Sequence, residues 1–121
     1  MHDSPKRAVR CVRLATEDAP ALSSLESRCF ALPWTEQAFA EAFAGKTFHA
    51  FGIRETASPL SPRELAGYIA VYHTPDEVEI LNIAVREDRR RHGYGRLLMA
   101  TALQDAKETG ILQGVLEVRI S

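Results

Sequence analysis

Arg90-Arg91-His92-Gly93-Tyr94-Gly95 combines residue types that suit an anion site. The apolar run Glu79-Ile80-Leu81-Asn82-Ile83-Ala84-Val85 precedes it, and the helical pattern Arg96–Thr109 follows. The first backbone N–H groups of a helix have no internal partner and lie at the positive end of its dipole. Gly93 and Gly95 remove the Cβ atoms that would keep a diphosphate from that backbone, and the arginines add charge. The stretch therefore reads as a pyrophosphate cradle. An ordinary glycine turn and a solvated basic face suit the same residues and stay open as readings.

Two common phosphate motifs are excluded. The dinucleotide fingerprint Gly-x-Gly-x-x-Gly fails because Leu98 stands three residues after Gly95, and the Walker loop lacks its Gly-Lys-Ser/Thr. Arg-x-x-Gly-x-Gly remains, starting at Arg90. With Val85 five residues ahead, this resembles the acetyl-CoA signature of the GNAT (Gcn5-related) N-acetyltransferases. Three further segments resemble its bacterial ribosomal-protein-alanine N-acetyltransferase branch: Leu81–Val85, Pro33-Trp34-Thr35-Glu36-Gln37-Ala38-Phe39, and Leu116-Glu117-Val118-Arg119. The similarity runs from about Val12 to Ser121.

The resemblance implies an acetyl-CoA-dependent transferase acting on a protein N-terminal α-amine, that of an N-terminal alanine in a small-subunit ribosomal protein. The backbone of Ile83, Ala84 and Val85 would hold the pantetheine arm like an added strand. Arg90, Arg91, His92, Gly93, Tyr94, Gly95 and Arg96 would surround the pyrophosphate. Glu117 would accept the amine proton, as the matching Glu of the family's Leu-Glu-Val-Arg segment does. A carboxylate among strand-forming apolar residues has its pKa raised by burial toward the range of a general base. From pattern alone an outward-facing Glu117 is equally consistent, and Arg119, two residues on, would hold its pKa down. Glu79 is a second carboxylate candidate. No metal is expected: Cys11 and Cys29 lack ligand spacing and suit small buried hydrophobes, and His49, His73 and His92 are scattered.

At 121 residues, with 45% hydrophobic residues and a formal charge of -1, the chain suits one domain spanning 1–121. That charge disfavours a general nucleic-acid binder. No stretch resembles a signal peptide or reaches transmembrane length, so a cytoplasmic enzyme without a membrane partner is expected.

The expected elements are a strand over 9–14, a helix from Thr16-Glu17-Asp18 with Leu22, Leu25 and Cys29 on one stripe, and a second helix capped by Thr35. That helix carries Phe39 and Phe43 and ends at Gly45, with Trp34 packing at the hairpin. Strands follow over Thr47–Arg54, Glu64–Tyr72 and Glu77–Val85, the last central. The final helix carries Leu98, Met99, Ala102, Leu103 and Ala106 on its apolar face, Gly110 ends it, and a strand covers Ile111–Ile120. This order suits an α/β fold: a mixed sheet flanked by helices. By resemblance it is the acetyltransferase fold truncated after the fifth main strand, where the family continues into a helix, a proton-donating Tyr and further strands. The last strand would then be an apolar edge able to pair with a second copy of the chain. A non-catalytic acyl-CoA-binding or interaction module is the alternative function.

Overall fold

The computed structural model describes residues 8–75 and 77–110, together with the backbone of a strand over 113–120. Five strands form one sheet in chain order: β1 (Ala8–Arg13), β2 (Phe48–Thr56), β3 (Gly67–His73), β4 (Glu77–Val85) and β5 (Gln113–Ile120). The first three pairings are antiparallel, and β4 pairs with β5 in parallel. The parallel pairing requires a crossover, which α3 (Tyr94–Glu108) supplies. α1 (Ala19–Cys29) and α2 (Glu36–Ala44) form a hairpin between β1 and β2.

Each face of the sheet buries its own core. Phe51, Ile53, Ile69, Val71, Val78 and Ile80 pack with Leu98, Ala102 and Ala106 of α3. Phe48, Ala50, Tyr68, Ala70 and Ala84 pack with Leu22, Leu25 and Phe39 of the hairpin. Alternation alone would send Ile83 to the hairpin side, because Val78 and Ile80 occupy the α3 side. A β-bulge at Leu81 resolves this. Ala70 pairs with Asn82 while Val71 pairs with Ile80, so Leu81 is the extra residue and the parity of β4 switches there. Asn82 and Ala84 consequently share the hairpin side with Tyr68 and Ala70.

The helix ends follow local chemistry, with four departures from the sequence expectation. Thr35 caps α2, its Oγ1 accepting from the Ala38 N–H at 3.1 Å. Thr16–Asp18 forms a 3-10 turn, and α1 starts at Ala19 with Pro20 in its first turn, where the missing N–H costs nothing. Gly45 stands at the end of α2 but has φ -81, outside the left-handed region expected of a C′ glycine. Gly110, with φ 87, does take that role after α3. Leu103 is 43% exposed and leaves the expected apolar stripe, because the sheet covers a narrower arc of α3 than its sequence offers. α3 also begins two residues before Arg96, so Tyr94 and Gly95 belong to its first turn.

The histidines are not all scattered. His49 and His73 lie on neighbouring strands with ring centroids 4.2 Å apart. Arg13 donates to His49 Nδ1 at 3.1 Å and pairs with Asp105. His73 Nε2 and Asp105 Oδ2 are 3.9 Å apart, and both are buried without a hydrogen-bond partner among the described residues. Burial holds both imidazoles below the usual range; Arg13 reinforces this for each, His73 does so for His49, and Asp105 opposes it. The folded state thus binds fewer protons than the unfolded chain once pH drops below the unperturbed value of 6.5. Stability from this pair is complete above that value and is lost as pH falls through the lower folded values. Glu55 and Asp88, the latter held down to about 2, contribute in a more acidic window, below 4.5 and 3.8. Between about pH 7.5 and 5.5 the melting temperature should fall by several degrees, and the fall should be smaller in His49→Gln. Equal falls in the two proteins would assign the acid sensitivity elsewhere.

Candidate active site

The C-terminal end of β4 opens into a cavity of about 310 Å³. Its lining brings together Ile83, Ala84 and Val85 from β4, Arg90, Arg91 and Gly93 from the following loop, and Tyr94, Gly95 and Arg96 from the first turn of α3. The pairing of β4 with β5 reaches Ile83 opposite Ile120, and no further described β5 residue flanks Ala84 and Val85. His92 stands outside the lining. Its Nδ1 donates to the carbonyls of Arg89 and Arg90 at 3.0 and 2.9 Å, so the ring braces the loop.

The loop geometry requires one of the two glycines. Arg91 (φ 66) and Gly93 (φ 79) both adopt the left-handed region, which returns the chain into α3 within three residues. For Arg91 this costs of order 1 kcal/mol, held by its surroundings. A Cβ on Gly95 would meet nothing within 4 Å. Gly95 is helical, so its missing side chain leaves open space without any backbone requirement. The first turn of α3 has no side-chain cap and no acidic residue, and Leu97 N–H makes the first intrahelical bond, to Gly93 O at 3.1 Å. The backbone N–H groups of Gly95 and Arg96, at the positive end of the helix, and the Arg96 side chain beside them make a site for anionic oxygens.

The arginine run divides into two roles. Arg86 holds Asp88 through both Nε and NH2 at 2.9 Å and reaches Glu64 at 3.3 Å. Arg89, whose side chain is 9% exposed, donates from Nε to both oxygens of Glu55 at 3.0 and 2.9 Å. Glu55 also accepts from the Tyr94 and Ser58 hydroxyls. Burial pushes the Glu55 carboxyl up, but these hydrogen bonds and the Arg89 charge outweigh it and hold it below the usual range. A carboxylate on β2 therefore ties together the two ends of the loop, Arg89 and Tyr94. Sequence reasoning missed both Glu55 and Arg89. The only local signal for Glu55 was its place two residues after Ile53 and four after Phe51, which strand alternation puts on the same face.

On the hairpin side, Pro33, Trp34, Thr35, Ala38, Glu41 and Tyr72 line an open groove. Trp34 packs on Phe39 and Phe48 at centroid distances of 5.2 and 6.2 Å, as expected of a packing residue. Glu79 is half-buried and pairs in register with Tyr72. Cys29 Sγ lies 3.6 Å from Val85 O and so joins α1 to the end of β4. Glu117 falls on β5, between the pairs Ile80–Leu116 and Asn82–Arg119, so its backbone lies beside the bulge at Leu81. The side chain of Glu117 lies outside the described residues. Among those residues no group of His, Cys, Asp and Glu has metal-ligand geometry, and no helix is long and apolar enough to cross a membrane.

Comparison with known proteins assigns this architecture. The model of the acetyltransferase (GNAT) family matches residues 19–121. The [ribosomal protein bS18]-alanine N-acetyltransferase of Escherichia coli K12 is 32% identical over 108 residues, which span 89% of this chain and 68% of the relative. The crystal structure of the Escherichia coli ribosomal-protein-S18-alanine N-acetyltransferase superposes with a TM-score of 0.79 at 29% identity, over 93% of this chain and 68% of that one. A Thermoplasma acidophilum N-acetyltransferase crystallised with coenzyme A shares the fold, with a TM-score of 0.74 at 14% identity over 90% and 78% of the two chains. A cavity at the end of β4, an uncapped glycine-bearing helix start and a family match over most of the sequence agree: this chain belongs to the GNAT family and is an N-acetyltransferase.

Proposed function

We propose that the chain transfers the acetyl group of acetyl-CoA to the α-amine of a protein N-terminus, with the N-terminal alanine of a small-subunit ribosomal protein as acceptor. One observation carries the cofactor: the cavity at the end of β4, where an uncapped helix start, Arg90, Arg91 and Arg96 converge with the open space over Gly95. The coenzyme A bound by the Thermoplasma fold neighbour supports this choice, and the name of the Escherichia coli relative supports the acceptor.

Bound acetyl-CoA supplies an activated thioester acetyl group. The backbone N–H groups of Gly95 and Arg96, with Arg90 and Arg91, hold its diphosphate, while Gly93, Tyr94 and the His92 brace set the loop shape. The strand backbone of Ile83, Ala84 and Val85 holds the pantetheine arm. The amine attacks the thioester carbonyl, and the C–N bond forms as the C–S bond breaks. The coenzyme A thiolate leaves and takes a proton from water, and Glu117 takes the proton from the incoming amine. Because an α-amine has an unperturbed pKa of about 8, that deprotonation is modest, and a carboxylate acting through water is a sufficient base.

The acceptor is tested by incubating the protein with acetyl-CoA and peptides that begin with alanine and contain an internal lysine. Mass spectrometry should place a single acetyl group on the alanine α-amine and none on an Nα-blocked control. Acetyl on lysine, or no transfer by a folded protein that binds acetyl-CoA, would overturn the assignment.

The anchoring of the loop makes a separate prediction. Glu55→Gln leaves Arg89 facing a neutral amide in a buried position, a change that costs about 3 kcal/mol when a buried pair loses one member. The variant should lose stability in urea denaturation and bind acetyl-CoA about tenfold more weakly, because the loop must then be ordered on binding. Its turnover at saturating acetyl-CoA should match the wild type. Unchanged affinity would show that the cradle holds its shape without Glu55.

A further inference from the structure

The hairpin side of the sheet contains a buried carboxylate that the cofactor site does not use. Glu26 on α1 is 0% exposed. Its two oxygens accept from different elements: Oε1 from the Trp34 backbone N–H at 3.2 Å, and Oε2 from the Tyr68 hydroxyl. Tyr68, also 0% exposed, accepts in turn from Asn82 Nδ2 at 3.0 Å. The chain of hydrogen bonds thus crosses from the α1–α2 connection through α1 and β3 to β4, and it arrives beside the bulge at Leu81. The Trp34 carbonyl is held as well, accepting from Ser23 Oγ at 3.4 Å.

Burying a carboxylate is costly, and an apolar side chain beside Leu22 and Leu25 would stabilise the helix packing more cheaply. The charge is better explained by what it holds in place. Trp34 and its neighbours Pro33 and Thr35 form one wall of the open groove, and Tyr72 forms another. We propose that Glu26 is a positioning residue for the acceptor peptide, fixing the Trp34 wall of this groove relative to β4 beside the bulge. The assignment rests on the proposed N-terminal acetylation and takes this groove as the peptide's approach, because the hydrogen-bond chain from its Trp34 wall ends beside the bulge where the Glu117 backbone also lies. Glutamine cannot accept both of these hydrogen bonds as they stand, and keeps contact with Tyr68 only if the hydroxyl reverses its direction. Both the Trp34 N–H and the Tyr68 O–H donate, so both side-chain oxygens must accept, and an amide has only one oxygen.

The test uses Glu26→Gln and Tyr68→Phe in the full chain, with two readouts. Trp34 is the single tryptophan, so intrinsic fluorescence reports the groove wall directly. In both variants its emission should move to longer wavelength, with greater quenching by acrylamide. For an alanine-starting peptide, kcat/KM should fall by about tenfold, the factor expected from losing one buried hydrogen bond of ordinary strength. The Kd for acetyl-CoA should stay within about twofold of the wild type, since the cradle is built from other residues. Glu26→Asp, which keeps two accepting oxygens, should recover part of the loss. A folded variant with unchanged Trp34 fluorescence and unchanged peptide kinetics would overturn the proposal, and so would an equal loss of acetyl-CoA affinity. Should Glu26→Gln fail to fold, Tyr68→Phe retains the side-chain shape and decides the same point. Absence of acetyl transfer in the wild type would refute the functional reading instead, while the fluorescence comparison would still decide whether Glu26 positions Trp34.

Discussion

Gly95→Glu should abolish acetyl-CoA binding while leaving the protein folded. Gly95 is a helical residue in the first turn of α3, and a Cβ built there meets no atom within 4 Å. The new side chain would enter the cavity that Gly95 lines. A carboxylate about 5 Å from a diphosphate charge is repelled by roughly 3 kcal/mol at an effective dielectric constant near 20. That alone weakens binding by about 100-fold, and the lost volume adds to it. Stability should not fall. Glutamate has a higher helix propensity than glycine by about 0.5–1 kcal/mol, and an acidic residue is favourable in a first turn. Calorimetric titration beside a thermal melt separates these effects. Retained affinity in a folded variant would place the diphosphate elsewhere. Gly93 makes a poorer probe, because its φ of 79 means that any side chain there also strains the loop.

Glu117→Gln should lower turnover by about 100-fold, the usual contribution of a positioned base, and leave acetyl-CoA affinity within about twofold. The β4–β5 register supports the choice, since the Glu117 backbone lies beside the bulge, near the strand positions Ile83–Val85 that would hold the arm. The pH profile offers a second check. Loss of the base should leave a dependence governed by the α-amine itself, with a midpoint near 8. Equal turnover in the two proteins at saturating acetyl-CoA would remove Glu117 from the mechanism.

The loop proposed to hold the diphosphate was legible as a strand, turn and helix start because it is local. Strand, loop and helix start are contiguous over Ile83–Arg96, and glycine, arginine and apolar periodicity each report on their own neighbourhood. The five strands and three helices were legible for the same reason, including the Thr35 cap. What escaped depends on contacts between distant parts of the chain. Glu55 meets Arg89 across 34 residues, and Glu26 meets Tyr68 across 42. A glutamate in a strand or on a helix reads as a solvent-facing residue until the fold shows what buries it. His49 and His73 looked unrelated because only antiparallel pairing of β2 with β3 places them side by side. The Leu81 bulge was not read either, since Ile80-Leu81 and Ile83-Ala84-Val85 are apolar on both parities around it. Leu103 erred in the opposite direction, being apolar at the right spacing but beyond the arc that the sheet covers.

On the proposed reading, the loop after β4 and the first turn of α3 bind acetyl-CoA through its diphosphate. Titration of the wild-type chain with acetyl-CoA and, separately, with S-acetyl-pantetheine tests it most directly, because the second compound carries the thioester and arm without the diphosphate. Saturable acetyl-CoA binding, with S-acetyl-pantetheine weaker by at least about 100-fold as for the loss of several charge-assisted hydrogen bonds, is the predicted result. Equal affinity for the two compounds, or no saturable acetyl-CoA binding by a folded protein, would contradict it.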